Sequence, residues 1–172
     1  MTQLLGCILI ACGCTGLGVW YRQQFELRLK HLRILNQILE MLMSEIRYSK
    51  ATLPECCKRL APRLEEPYKQ SFLNIFETMK ENTGEGFGQV FKKDMELCLG
   101  GIPLQKEEKE LFLNAVSESG FEDGKMQLRN IEQHNELLKN IIEKQDKETA
   151  EKSRMAMCLG AMSGLLLIII LL

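Results

Sequence analysis

The stretch Phe25–Tyr48, FELRLKHLRILNQILEMLMSEIRY, decides how this chain is built. Leu29, Leu32, Leu35, Leu39, Leu42 and Ile46 recur at spacings of three and four, which places them on one face of an α-helix. Arg28, Lys30, Arg33, Gln37 and Glu40 fall elsewhere around it. No proline or glycine interrupts the chain between Gly18 and Tyr48, so the helix is expected to continue back into the segment before it. Forward, Ser49–Leu53 ends it. The residue before a proline avoids the α region, and Pro54 suits the first turn of a new helix.

The segment before it is Leu4–Tyr21 (LLGCILIACGCTGLGVWY), and its counterpart at the other end is Met155–Leu172 (MAMCLGAMSGLLLIIILL). Both are uncharged. At helical rise each covers about 27 Å, close to the roughly 30 Å hydrocarbon core of a bilayer. An unpaired amide in lipid is costly, so each is expected to be a transmembrane helix. All 22 Lys and Arg and all 23 Asp and Glu lie between Arg22 and Arg154. Arg22, Arg28, Lys30 and Arg33 follow the first apolar segment, and Lys144, Lys147, Lys152 and Arg154 precede the second. Basic flanks stay on the cytoplasmic side, which puts the central region in the cytoplasm and both short termini across the membrane. A signal peptide would need a basic n-region, which is missing here. Leu9-Ile10-Ala11-Cys12 resembles a lipoprotein cleavage box, but the same missing charge and the cationic stretch downstream favour an anchor. The expected organisation is a transmembrane helix at 1–21, a cytoplasmic helical domain at 22–154 and a transmembrane helix at 155–172.

Within that domain, shorter helices follow the first. Pro54–Ala61 and Pro67–Glu81 each start with proline, and the second is expected to bury Phe72, Ile75, Phe76 and Met79. A turn at Gly84-Glu85-Gly86-Phe87-Gly88 leads into a helix carrying Val90, Phe91, Met95 and Leu97, which Gly100-Gly101 and Pro103 end. Leu104–Ser119 presents Leu111, Phe112, Ala115 and Val116, and Gly120 stops it. The last helix begins near Asp123, shows Met126, Ile131, Leu137, Leu138, Ile141 and Ile142, and runs through Arg154 into the second apolar segment. No stretch alternates with period two. The pattern predicts an all-α fold, a six-helix bundle whose long first and last helices are antiparallel neighbours.

Composition excludes several functions. A net charge of −1 leaves no basic face for nucleic acid. Of seven cysteines, Cys56, Cys57 and Cys98 lie in the central region, and none stands at the two-residue spacing of a redox or zinc motif. Cys56 and Cys57 read as small buried helix residues. His31 and His134 are far apart in sequence, although the first and last helices could bring them together; a zinc site would want four ligands. The glycine-rich turn lacks the strand and Lys-Ser/Thr of a phosphate cradle. Glu107, Glu108 and Glu110 read as a solvated helix face with no nucleophile beside them. No catalytic, metal or cofactor site is expected. Gly160 and Gly164 make a small-xxx-small ridge, serving either packing of the chain's own membrane helices or assembly of a homo-oligomer.

Three stretches, in order, resemble the stage III sporulation protein AB family. They are Glu45-Ile46-Arg47-Tyr48 followed by Leu53-Pro54; Gly120-Phe121-Glu122-Asp123 with Gln127; and Lys152 ahead of Leu159-Gly160-Ala161-Met162-Ser163-Gly164. The resemblance implies a component of the channel-like complex between mother cell and forespore, in the mother-cell membrane. It also implies a fold similar to the cytoplasmic domains of type II secretion and type IV pilus platform proteins. By that analogy the domain docks a cytoplasmic ATPase, stage III sporulation protein AA. Glu45, Tyr48, Leu53 and Pro54 would shape one helix junction, and Gly120, Asp123 and Gln127 another, with Asp123 capping the final helix; all are structural or partner-binding candidates. A membrane-bound adaptor or regulator outside any secretion machine is the alternative.

Overall fold

The computed structural model describes the backbone of residues 2–49, 51–81, 84–118 and 124–171, and the side chains of 23–49, 51–81, 84–118 and 125–148. Among the described residues there are six α-helices and no strand. They are α1 (Thr2–Ser49), α2 (Leu53–Leu60), α3 (Tyr68–Lys80), α4 (Phe87–Gly100), α5 (Lys106–Ser117) and α6 (Gly124–Leu171), with a short 3-10 turn at Ala61–Arg63 after α2. The all-helical reading of the periodicities is correct. α1 and α6 are each 48 residues long. At helical rise that is about 72 Å.

The chain forms two compact units. Residues 30–142 make one, and Met1–Leu29 with Glu143–Leu172 make the other. The first is shorter at both ends than the region 22–154 that the charges delimit. Among the described residues no helix is long and apolar enough to cross a membrane. The expected spanning segments at 4–21 and 155–172 lie outside the described side chains, and only the helical backbone of 4–21 and 155–171 is described.

Within 30–142, Leu32, Leu35, Leu39 and Leu42 are buried as their spacing requires, joined by Ile38. Lys139 Nζ lies 2.8 Å from Glu40 and Arg47 lies 3.9 Å from Glu132, so α6 runs antiparallel to α1 here. Leu53, Cys56, Cys57 and Leu60 form the buried stripe of α2. Phe91 joins α3, α4 and α5: its ring centroid lies 6.2 Å from Phe72, 5.7 Å from Phe87 and 6.0 Å from Phe112. Such aromatic clusters bury large areas and favour tilted or edge-on contact.

Several local expectations need correction. Tyr68 is buried at the start of α3, whereas Phe76 and Met79 are only partly covered. Leu97, Met126 and Leu137 were assigned to apolar faces, yet all three are exposed. Gly88 belongs to α4 rather than to the turn before it, and Gly84 (φ +80°) supplies the left-handed backbone. Gly101 ends α4 in right-handed geometry (φ −85°), so this terminus does not use a left-handed glycine. Pro103 and the burial of Ile102 redirect the chain instead. α5 begins at Lys106, not Leu104, because Glu108 Oε2 reaches back to accept the Gln105 amide at 2.8 Å. Glu108 is therefore buried and not part of a solvated face.

Candidate functional site

The described side chains assemble one of the two expected junctions. α1 ends because the Ser49 hydroxyl donates to the Glu45 carbonyl (2.6 Å) and accepts from the Ala51 amide (3.2 Å). The serine side chain thereby gives the Ala51 amide, just past the helix end, a hydrogen-bond partner outside the ladder. Thr52 is extended (φ −67°, ψ 154°), and its carbonyl accepts the Cys56 amide at 2.9 Å to open α2. Leu53 is buried beneath this turn, and Pro54 is half-buried in the first turn of α2. The Arg59 guanidinium, one turn further on, reaches back to the Glu45 carboxylate at 3.4 Å. Glu45, Leu53 and Pro54 thus fasten α2 to the end of α1. Tyr48 does no such work: it is 81% exposed.

Beside this junction lies a cleft of about 420 Å³ lined by Glu55, Lys58, Arg59 and Phe76. The Lys58 ammonium sits 4.9 Å from the Phe76 ring centroid, within cation–π range. No local pattern in the sequence marks this cleft, because it forms only where α2 packs against α3. A surface aromatic, an aromatic ring under a lysine and a half-exposed arginine are the residue types that anchor protein partners.

The second junction is only partly described. Gly120 and Asp123 lie outside the described residues, and Gly160 and Gly164 fall in the part of α6 where only the backbone is described. Gln127 stands in the first turns of α6, partly covered, five residues before the Glu132 that pairs with Arg47.

The thiols and imidazoles do not form a reactive group. Burial pushes the Cys56 thiol up to about 11, with Glu45 adding to the effect, and it pushes Cys57 up still further. Thiols held protonated are poor nucleophiles and ligands. His31 Nδ1 faces the Tyr68 hydroxyl at 3.0 Å, and His134 Nδ1 bonds the Asn130 carbonyl of its own helix at 2.9 Å. Each histidine therefore has its own partner, not the other. Among the described residues no group of His, Cys, Asp or Glu is placed to hold a metal ion.

The class defined by this geometry is an all-helical protein that, among the described residues, presents a helix junction beside an open cleft. Residues 3–172 match the family described as stage III sporulation protein AB, and the chain belongs to that family. It is 23% identical to the stage III sporulation protein AB of Bacillus subtilis (strain 168) over 171 residues, 99% of either chain. A solved structure of stage III sporulation protein AB is similar in fold, with a TM-score of 0.64 at 18% identity, covering 72% of this chain and 97% of that one. The family places the chain among sporulation proteins.

Proposed function

We propose that this protein is a non-enzymatic membrane platform within a sporulation complex, and that its central domain docks the cytoplasmic ATPase stage III sporulation protein AA. One observation carries the reading. The two helices that lead to the apolar ends are the same two that pair antiparallel inside 30–142, so one helical unit is tied to both segments. Two apolar helices suit a mount in the mother-cell membrane around the forespore, with the central domain cytoplasmic and both termini opposite. The docking surface is the junction carrying Tyr48 and the Lys58–Phe76 cleft, since Tyr48 is exposed without an internal role.

Affinity capture of the full-length chain from sporulating cells tests this. The ATPase should co-purify, and Tyr48→Ala or Lys58→Glu should lower its recovery by roughly tenfold or more, the scale of an interface hot spot. If no ATPase or other complex member is captured and deletion leaves sporulation intact, the platform reading fails and an adaptor or regulator outside any secretion machine replaces it.

A further inference from the structure

Leu35, Ile38, Leu39 and Leu42 of α1 and Ile131 and Leu138 of α6 are all buried in the apolar core of residues 30–142. One layer departs from this. Glu40 on α1 takes the Lys139 ammonium of α6 at 2.8 Å, and Asn36 and Asn135 both hydrogen-bond the same carboxylate. Asn135 is 3% exposed. The side-chain oxygens of Asn36 and Asn135 are both buried and have no hydrogen-bond partner among the described residues. Leucine at these two positions would leave no such orphan, so the layer is not there for stability.

Polar residues in an otherwise apolar helix seam earn their place by fixing register. Here we infer that Asn36, Glu40, Asn135 and Lys139 form a register lock that holds α6 at one axial position along α1. The residues on either side show why a neighbouring register is excluded. Glu40 lies between Asn135 and Lys139, which stand one turn apart. Sliding α6 one turn in one direction moves Lys139 to the place of Asn135 and Glu143 to the place of Lys139, which sets a second carboxylate beside Glu40. Sliding it the other way moves Asn135 to the place of Lys139 and Ile131 to the place of Asn135, which takes the cation away from Glu40. An all-leucine seam makes no such distinction, because one turn of leucine packs much like the next. The lock holds α6 against axial slip along α1 within residues 30–142.

The test measures helix register in the full-length chain. Spin labels carried on non-canonical amino acids at the exposed positions Gln37 and Glu136 leave the seven native cysteines untouched. The starting protein should give a single distance population. Glu40→Lys, which sets two cations together, should add a second population displaced by about 5 Å axially, one helical turn. Combining it with Lys139→Glu restores the pair with inverted polarity and should restore the single population, since an asparagine amide can turn its oxygen toward a cation. Asn36→Leu with Asn135→Leu should raise the urea midpoint while broadening the distances, which separates register from stability. A single unchanged population in Glu40→Lys overturns the lock, as does failure of the swap to restore it.

Discussion

Gly88 shows how much one hydrogen atom can matter. A Cβ built there would lie 2.2 Å from the Ser117 carbonyl oxygen, a backbone atom that cannot turn aside. Gly88→Ala gains up to about 1 kcal/mol of helix propensity. It also forces α4 away from the end of α5, and overpacking of that kind costs about 1–3 kcal/mol. The clash wins, so Gly88→Ala should lower the urea unfolding free energy. Gly100→Ala is its control: the added Cβ meets nothing within 4 Å, and the backbone there is helical. That variant should be neutral or stabilised by a few tenths of a kcal/mol. His31 is a second residue with a defined expectation. Desolvation first, and Lys30 second, hold its pKa below the ordinary 6.5. As pH falls, the unfolded chain takes this proton before the folded chain does. The stability His31 contributes is therefore complete above about pH 6.5 and is lost as pH drops through the lower folded value. Its charged and titratable neighbours here are Lys30 and the buried Tyr68 hydroxyl. Melting curves between about pH 7 and pH 5 should show the wild-type midpoint falling more steeply than that of His31→Gln.

At the scale of elements, α5 depends on a cap that lies three residues inside it. Glu108 is buried because its carboxylate satisfies the Gln105 amide. Glu108→Ala should cost about 1 kcal/mol, with Glu108→Gln recovering part of it, as read from urea midpoints. The cap also marks the limit of what the sequence reveals. The repeat of Leu32, Leu35, Leu39 and Leu42 identified α1 and its buried face, because a periodic stripe is a local property. Pro54 with Leu53 marked the α1–α2 junction for the same reason. Leu97, Met126 and Leu137 were misplaced because spacing identifies a stripe but not which of its edges another helix covers. The burial of Glu108, the close approach at Gly88 and the Arg59–Glu45 bond that closes the junction depend on partners brought in by the fold. The Lys58–Phe76 cleft belongs to that group too: it joins α2 to α3, and neither helix announces it alone.

For the whole molecule, the proposed platform rests on both apolar segments holding the chain at a membrane. The two apolar segments differ in strength. Met155–Leu172 ends in Leu165-Leu166-Leu167-Ile168-Ile169-Ile170-Leu171-Leu172, whereas Leu4–Tyr21 is interrupted by Gly6, Gly13, Gly16 and Gly18. Leucine and isoleucine each favour insertion by about 0.3–0.6 kcal/mol at the centre of a membrane helix, so in the proposed mount the second segment would be the firmer anchor. Alkaline carbonate extraction of membranes distinguishes the cases. The full chain should stay in the pellet. Removing 1–21 should leave it there, and removing 155–172 should leave it largely there with a fraction released. Removing both should move residues 22–154 to the supernatant with their helical circular dichroism intact, since the packed core of 30–142 contains neither segment. Release of the whole population on losing either segment alone would show a single anchor. The proposed two-point mount would then fail, because a single membrane helix leaves a tethered domain free to swivel.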